Sequence, residues 1–253
     1  MCLLVVAFQL VPDEPLIIGA NRDEVLERPS TAVTVLDPGP PRVVGGRDEL
    51  SGGTWLAVNE RGVFAALTNQ PLGEAKDPTK RSRGELPVAL ARYESAAPAV
   101  EAFLGRYRPE DFNGCWLLAG DRSTLFFIDF TGPAGASAVT LPPGLHVLEN
   151  RPLGEPSLKV DLVVDAVGSP ADGDQVAAAF RTVLGDHRIP EGDERPHSAN
   201  CVHLDGFGTR SSCLVRVPAD TRTTPRLWVA DGPPCTAPLE DAGTMWTADV
   251  AVA

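Results

Sequence analysis

Short apolar runs, each closed by turn-forming residues, dominate the first third of the chain. The runs 3–8 (LLVVAF) and 15–20 (PLIIGA) flank the segment PDEP, which predicts a β-hairpin. Further strands are predicted at 31–36, 54–59 and 62–68, and the last two are joined by a connection of hairpin length. Strands that follow one another with such short connections are typical of antiparallel sheets.

Helical periodicity replaces this pattern in two places. The apolar positions follow the i, i+3, i+4, i+7 spacing at Leu86, Ala89, Leu90 and Tyr93, and the same pattern returns at Val176, Phe180, Val183 and Leu184. The segment 97–107 (APAVEAFLGRY) predicts a further helix directly after the first. Additional strands are predicted at 115–120, 124–129, 136–141, 145–150, 211–217, 226–231 and 244–252.

Blocks of hairpin-like strands separated by helices indicate an α+β fold with helices packed on antiparallel sheets. No repeat or long linker divides the chain, so we expect one domain over residues 1–253. The polar, proline-containing segment 186–200 is predicted to be a loop and a candidate lid.

Composition excludes several classes of partner. Hydrophobic residues make up 43% of the chain, enough for a sizeable core. There are 22 Lys+Arg against 34 Asp+Glu, and a net charge of −12 argues against nucleic acid or an anionic membrane as the main partner. No targeting segment or integral membrane segment is evident, so we expect a cytoplasmic protein. The odd number of cysteines fits reduced thiols better than disulfides (Cys2, Cys115, Cys201, Cys213 and Cys235).

Polar residues that follow apolar strands are the first candidates for chemistry. The run from Asn21 to Glu24 in GANRDE ends a strand, where side chains meet a cleft, although the spacing alone favours a solvated turn with an ion pair. Gly52 and Gly53 allow either a close approach to a ligand or a tight corner.

Three more polar residues stand beside strands. Asn69 and Asn150 each follow a strand and precede a proline, where an amide donates to a developing oxyanion or caps a turn. Arg210 lies in GFGTRSS and leads into a strand. Taken singly, each residue also fits a structural role.

Metal binding is not expected. His197, Cys201, His203 and Cys213 lie close in sequence, but their spacing matches no standard zinc pattern. The chain also has no phosphate-binding loop, no dinucleotide-binding glycine motif and no serine nucleophile elbow.

The cysteine at position 2 suggests a different kind of nucleophile. If Met1 is removed, the α-amine of Cys2, with an ordinary pKa of roughly 7.7–8.0, is able to take the thiol proton. Such a site needs a carboxylate to orient the amine and amides to receive the oxyanion, but no histidine. Asp23, Asn69, Asn150 and Arg210 would complete it.

Several segments together resemble the NRDE family, also called the transport and Golgi organisation 2 proteins. They are MCLLVVAF, NRDE, GGRDELSGGTWLAVNERGVFAALTN, SRGELP, NGCWLLAG and GTRSS, in that order. The resemblance implies the fold of N-terminal-nucleophile hydrolases, a four-layer αββα sandwich with two antiparallel sheets between helices.

A more distant similarity is to bile-salt and penicillin V hydrolases, whose mature chains begin with cysteine. It implies catalytic roles for Cys2, Asp23, Asn69, Asn150 and Arg210. The early arginine of that group falls on Ala20, and Arg22 stands two places later. Arg22 and Asn21 are therefore expected to contact the substrate.

Two functions follow from the resemblance. The first is hydrolysis or transfer of the acyl group of a small amide or other acyl substrate, without a cofactor. The second is non-catalytic carriage of haem or an acyl-CoA-like lipid in the same cleft. Cys2, His146 and His203 are the candidate haem ligands. The sequence leaves the oligomeric state open.

Overall fold

The computed structural model describes residues 3–71, 76–132 and 135–249. Its strands are β1 (Leu3–Phe8), β2 (Leu16–Val25), β3 (Ser30–Asp37), β4 (Val43–Asp48), β5 (Leu56–Asn59), β6 (Phe64–Asn69), β7 (Cys115–Gly120), β8 (Leu125–Phe130), β9 (Ser137–Thr140), β10 (Gly144–Leu148), β11 (His203–Leu204), β12 (Phe207–Val217), β13 (Arg226–Ala230) and β14 (Glu240–Asp241). Its helices are α1 (Glu85–Ala91), α2 (Ala96–Arg106), α3 (Leu158–Val167) and α4 (Gly173–Gly185).

The strands form two antiparallel sheets. The first has the order β10-β1-β2-β12-β13-β14, with β11 paired to β12. The second is a meander in which β3 to β9 pair in chain order. The long β2 and β12 pair along almost their whole length and form the centre of the first sheet.

Alternation along each strand divides the apolar residues between two faces. Leu4, Val6 and Phe8 of β1 join residues of the second sheet in the core between the sheets. Leu3 and Val5, which point the other way, pack with α3 and α4. The outer face of the second sheet packs with α1 and α2. The layers are therefore helix, sheet, sheet, helix, and the expected α+β sandwich is confirmed.

The apolar pattern does not predict the strands β4, β11 and β14, and two larger differences concern one helix and one strand. The apolar pattern predicts no helix between 151 and 172, yet α3 forms there, begun by the Ser157 side chain, which accepts from the backbone N–H of Val160. The strand predicted at 244–252 is instead a 3-10 turn over Gly243–Trp246, and its last three residues lie outside the described ranges. In the same described ranges, none of the helices has the length and apolarity needed to cross a bilayer.

Candidate active site

The polar strand ends meet at one end of the sandwich, beside the first described residue of β1. Leu3 pairs with Asn21 of β2, and Leu4 pairs with Leu148 at the end of β10. Just beyond β10, the Asn150 side-chain amide donates a 2.6 Å hydrogen bond to the backbone oxygen of Asn69 in the other sheet. The two asparagines predicted from sequence are thus in direct contact, and they connect the two sheets.

Asp23 lies two residues beyond Asn21 on β2 and is 5% exposed. Its Oδ1 accepts a 2.6 Å hydrogen bond from the hydroxyl of Thr209 on β12. Its Oδ2 is buried and has no hydrogen-bond partner among the described residues. A buried carboxylate oxygen in this condition is costly, so a cationic or N–H group placed against it would be strongly favoured.

Other buried polar groups without described partners lie in the same region. Thr68 and Trp116 are cross-strand partners on β6 and β7, so their side chains share one face. Neither the Thr68 hydroxyl nor the Trp116 indole N–H has a partner among the described residues. Trp116 belongs to the core between the sheets and also lines a cleft with Asp23.

A polar cleft of about 280 Å³ opens beside Asn69. We call it the polar cleft; it is lined by Arg22, Glu24, Arg28, Asp48, Ser51, Gly53, Thr54, Trp55, Leu67, Asn69, Lys76, Ser82, Arg83 and Gly84. The backbones of Gly53 and Gly84 are in contact in its wall. The N–H of Thr54, the residue after Gly53, donates to the Gly84 carbonyl at 2.9 Å. Gly52 has a φ of +71°, which allows the chain to turn a tight corner. The sequence left open either this corner or a close approach to a ligand, and for Gly52 the structure shows the corner.

Arg22 is 3% exposed and is held by an aromatic ring and a carboxylate. Its guanidinium lies 4.4 Å from the centre of the Trp55 ring and donates to Asp48 at 3.1 Å. Burial lowers the pKa of Arg22, while the charges of Glu24 and Asp48 act in the opposite direction. Arg22 therefore supplies a buried, oriented positive charge at the edge of the polar cleft.

A larger cleft of about 720 Å³ lies on the other side of the Asn69–Asn150 contact. We call it the larger cleft; it is lined by Asp23, Pro71, Trp116, Glu149, Asn150, Arg151, Pro152, Glu155, Lys159, Arg195, His197, Ser198, Leu204 and Phe207. One wall comes from the segment 195–198, which lies within the predicted loop 186–200. Its volume and mixed lining are typical of small-molecule sites.

Asn21 lies away from both clefts. Its side chain is fully buried, and its Nδ2 donates at 2.8 Å to the carbonyls of Leu184 and Asn200. These contacts hold the end of α4 and the end of the following loop against β2. The geometry therefore makes Asn21 a structural support rather than the substrate contact expected from sequence.

Arg210 also lies apart from the proposed site residues. A bulge in β12 pairs Thr209 with Asp23 and Ser211 with Arg22, leaving Arg210 without a partner on β2. Its guanidinium donates to Asp231 at 2.7 Å, and it lines neither cleft. The residue that contacts Asp23 is its neighbour Thr209, which lies in the same GFGTRSS segment and which sequence reasoning did not single out.

Cys2, the predicted nucleophile, lies outside the described residues. The four described cysteines are unpaired thiols: Cys115, Cys201, Cys213 and Cys235. Burial raises the pKa of Cys115 and Cys213 to about 12. These two thiols are therefore protonated at neutral pH and are poor nucleophiles.

The histidines and cysteines considered as metal ligands separate in the structure. His197 lines the larger cleft, and Cys213 lies in the core between the sheets. Cys201 and His203 instead meet His187 and Cys235, with all four ligand atoms within 4.8 Å of one another. Sequence spacing did not suggest this group, because His187 and Cys235 belong to different loops. His146, a candidate haem ligand, lines neither cleft and contacts the Pro142 carbonyl at 2.8 Å.

The chain is similar to a known family and to proteins of other organisms. The family model described as Transport and Golgi organisation 2 matches residues 1–224. The Transport and Golgi organization protein 2 homolog of Bos taurus is 32% identical over 237 residues, covering 83% of this chain and 84% of the relative. The Homo sapiens homolog is 30% identical over the same length and coverage.

Solved structures of acylases share the fold. A Caenorhabditis elegans N-acylethanolamine-hydrolyzing acid amidase ortholog superposes with a TM-score of 0.59 at 14% identity, covering 88% of this chain and 97% of that one. A variant of conjugated bile acid hydrolase from Clostridium perfringens gives 0.50 at 12% identity, covering 91% and 89%. At these identities the likeness concerns the fold, which is that of the N-terminal-nucleophile hydrolases.

Proposed function

We propose that this chain, which belongs to the Transport and Golgi organisation 2 family, is an N-terminal cysteine hydrolase or acyltransferase that acts on an amide or other acyl bond of a small molecule. The observation that carries the proposal is Asp23. Its buried Oδ2 has no partner among the described residues, and Asp23 lies two residues beyond Asn21, which pairs with Leu3 at the start of β1. An α-ammonium at the chain start would satisfy that oxygen and be oriented by it.

The proposed reaction uses Cys2 after removal of Met1. Its α-amine accepts the thiol proton, and the thiolate sulfur attacks the substrate carbonyl carbon to form a tetrahedral oxyanion. The oxyanion collapses to a thioester, and the α-ammonium returns the proton to the departing amine or alcohol. Water, or a second nucleophile, then attacks the thioester and restores the thiol, which gives hydrolysis or acyl transfer respectively.

Asn69 and Asn150 are the proposed donors to the oxyanion. One amide hydrogen of Asn150 is used by the Asn69 carbonyl, which fixes the side chain and leaves the second hydrogen for a substrate. Asn69 lines the polar cleft and Asn150 lines the larger cleft, so an acyl carbon between them would reach both. Donors held rigidly in this way stabilise developing charge without reorganising.

The two clefts suggest where the acyl chain and the leaving group of a substrate would bind. Apolar side chains of Trp116, Leu204 and Phe207 line the larger cleft, which suits an acyl chain. Arg22 and Arg83 line the polar cleft, which suits a polar or anionic leaving group. Asp23 would act by positioning the amine, and Arg22 by holding charge, while Arg210 would contribute only indirectly through β12.

The test begins with the intact mass of the protein purified from its natural host, which must show loss of Met1. A panel of N-acyl amides is then assayed with wild type and with the variants Cys2→Ala and Asp23→Asn. We expect Cys2→Ala to abolish turnover and acylation of the N-terminal peptide. Asp205→Asn, an exposed carboxylate in the β11–β12 turn, serves as the matched control for Asp23. Retained Met1, or undiminished turnover by Cys2→Ala, would refute the proposal.

A second candidate function is carriage of an amphiphilic anion such as an acyl-CoA or haem. The mixed lining of the larger cleft favours it, since Arg151, Lys159 and Arg195 line this cleft together with apolar side chains. This function predicts saturable binding without turnover. Titration with haem, followed by its absorption band, and with a fluorescent acyl-CoA would reveal it, and Cys2→Ala would then leave the binding of acyl-CoA unchanged.

A further inference from the structure

Two cysteines and two histidines meet outside the candidate active site. The Sγ atoms of Cys201 and Cys235 are 3.7 Å apart. The Nε2 of His203 lies 3.5 Å from the Cys201 sulfur and 3.2 Å from the Cys235 sulfur. His187 completes the group, with its ring 5.5 Å from that of His203. We call these four residues the Cys/His cluster.

The spacing among Cys201, His203 and Cys235 is that of three corners of a tetrahedral metal site, and the ligand atom of His187 lies within 4.8 Å of all three. Zinc binds thiolate sulfur at about 2.3 Å and imidazole nitrogen at about 2.0–2.1 Å, so a regular tetrahedron places two sulfurs about 3.8 Å apart and sulfur about 3.5–3.6 Å from nitrogen. The observed separations of 3.7, 3.5 and 3.2 Å agree with these edges. A pair of sulfurs and a pair of nitrogens in this arrangement is typical of zinc.

The surroundings of the cluster fit such an ion. Cys201 is buried, Cys235 is half-buried, and the two histidines are exposed, so an ion would have a path from solvent. Two thiolates would balance the charge of one divalent ion. The Cys201 N–H donates to the Asp186 carbonyl at 2.8 Å, which brings the segment of His187 beside that of Cys201.

We propose that His187, Cys201, His203 and Cys235 form a closed, four-coordinate zinc site that pins the base of the loop 186–200 to the segment after β13. On binding, each of the two thiols loses its proton to solvent and each histidine binds as the neutral ring. With four protein ligands, no position remains open for water or substrate, so the site is structural. The observations that support this site do not rest on the proposed function.

The site would also support the candidate active site from behind. Val202 lies between the ligands Cys201 and His203, and its N–H donates to the Thr209 hydroxyl at 2.9 Å. Thr209 in turn donates to Asp23 at 2.6 Å. The loop whose two ends carry His187 and Cys201 also supplies Arg195, His197 and Ser198 to the larger cleft. Zinc would therefore fix both this wall and the residues behind Asp23.

Cobalt is the probe, because Co²⁺ adopts the same geometry and reports it by absorption. The full chain, reduced and freed of metal by chelation, is titrated with Co²⁺. We expect one ion per chain, intense ligand-field bands of tetrahedral coordination, a thiolate-to-cobalt charge-transfer band, and loss of both on adding Zn²⁺. Weak six-coordinate bands, or no retained Co²⁺, would overturn the proposal.

Variants identify the ligands. Cys235→Ser and His187→Gln should each weaken Co²⁺ binding by more than about 100-fold, since even changes behind the ligands cost 10- to 100-fold. His197→Gln, from the same loop but outside the cluster, should bind Co²⁺ as wild type does. An unchanged cobalt spectrum in Cys235→Ser would refute the site.

Zinc added to the metal-free wild type should raise its melting temperature and slow hydrogen exchange over residues 186–202. Because this measurement uses the wild type, it tests the zinc site even if a variant fails to fold. Peptide mapping without reductant tests whether Cys201 and Cys235 form a disulfide instead of binding zinc. A Cys201–Cys235 disulfide in freshly isolated protein would count against the zinc site.

Discussion

The hydroxyl of Thr209 donates a 2.6 Å hydrogen bond to Oδ1 of Asp23 across neighbouring strands of one sheet. The same hydroxyl accepts from the Val202 N–H at 2.9 Å, so its hydrogen is directed at the carboxylate. This pair fixes which oxygen of Asp23 remains available. Oδ2, without a described partner, is the oxygen left for the chain start or a ligand.

Thr209→Val should lower turnover by up to about 100-fold, because a small displacement of a positioning group costs that much. The variant also leaves Asp23 and the Val202 N–H without a partner, which should lower the free energy of unfolding by about 1–3 kcal/mol. Thr209→Ser keeps the hydroxyl and should restore both quantities. The measurements are the pH dependence of kcat and unfolding by denaturant. If Thr209→Val had the same pH profile of kcat as the wild type, the positioning role would be contradicted.

Asn69→Ala should reduce kcat by about 10²- to 10³-fold, the usual cost of removing one oxyanion donor. Its backbone carbonyl, which accepts from Asn150, is kept in the variant. Stability should therefore change little, and KM should change less than kcat. Gln70→Ala, at the next residue and outside both clefts, is the matched control. Equal losses in the two variants would argue against a role in the oxyanion.

Phe207→Ala should lower kcat/KM for long-chain acyl substrates roughly 10- to 100-fold relative to short-chain ones, because contact in the larger cleft is lost. Arg83→Gln should instead reduce the preference for anionic leaving groups, since its charge lines the polar cleft. The two variants are compared on a matrix of acyl chains and leaving groups. If Phe207→Ala leaves the preference for acyl-chain length unchanged, the assignment of the larger cleft to the acyl chain is wrong.

Asp121→Asn should destabilise the fold at neutral pH by about 1–3 kcal/mol. Oδ2 of Asp121 accepts at 2.7 Å from the N–H of Ala96, the first residue of α2, where an amide group would oppose a donor with a donor. Burial alone would raise the pKa of Asp121, but hydrogen bonds from Ala96, Ser123 and Thr124 lower it on balance.

Because the folded-state pKa of Asp121 is lowered, its contribution is complete above the ordinary carboxyl pKa of about 3.9 and is lost as pH falls through the folded value. The stability difference between wild type and Asp121→Asn should therefore narrow as pH falls from about 5 towards 2. Urea unfolding at a series of pH values measures it. A difference that is constant with pH would show that the carboxylate charge does not matter.

Gly53→Ala should destabilise the wall of the polar cleft by about 1–3 kcal/mol. The added Cβ would lie 2.5 Å from the Gly84 carbonyl carbon and 2.6 Å from its Cα, and neither backbone atom moves easily. Gly105→Ala in α2 meets nothing within 4 Å and should instead be stabilising, because alanine favours helices. Thermal unfolding of both variants checks the prediction; equal melting temperatures would contradict the close contact.

Most strands and most helices were predictable because their signals are local. The hairpin of β1 and β2 follows from two apolar runs and a turn between them, and α4 follows from the spacing of its buried residues Val176, Phe180 and Val183. α3 was missed because its valines are equally common in strands, while its helical signals, Ser157 at the start and Gly168 at the end, are short.

The sequence by itself determined the layered α+β fold and the residue types at the strand ends. Period-two alternation and polar residues at the ends of apolar runs are visible in the order of the residues alone. Only the tertiary structure decided which of those residues meet. The β12 bulge turns Arg210 towards Asp231 and brings Thr209 to Asp23. Folding likewise gathers His187, Cys201, His203 and Cys235 from three separate segments. Such contacts depend on the register between strands and on where each loop brings the chain back to the sheets. A local sequence pattern contains neither kind of information.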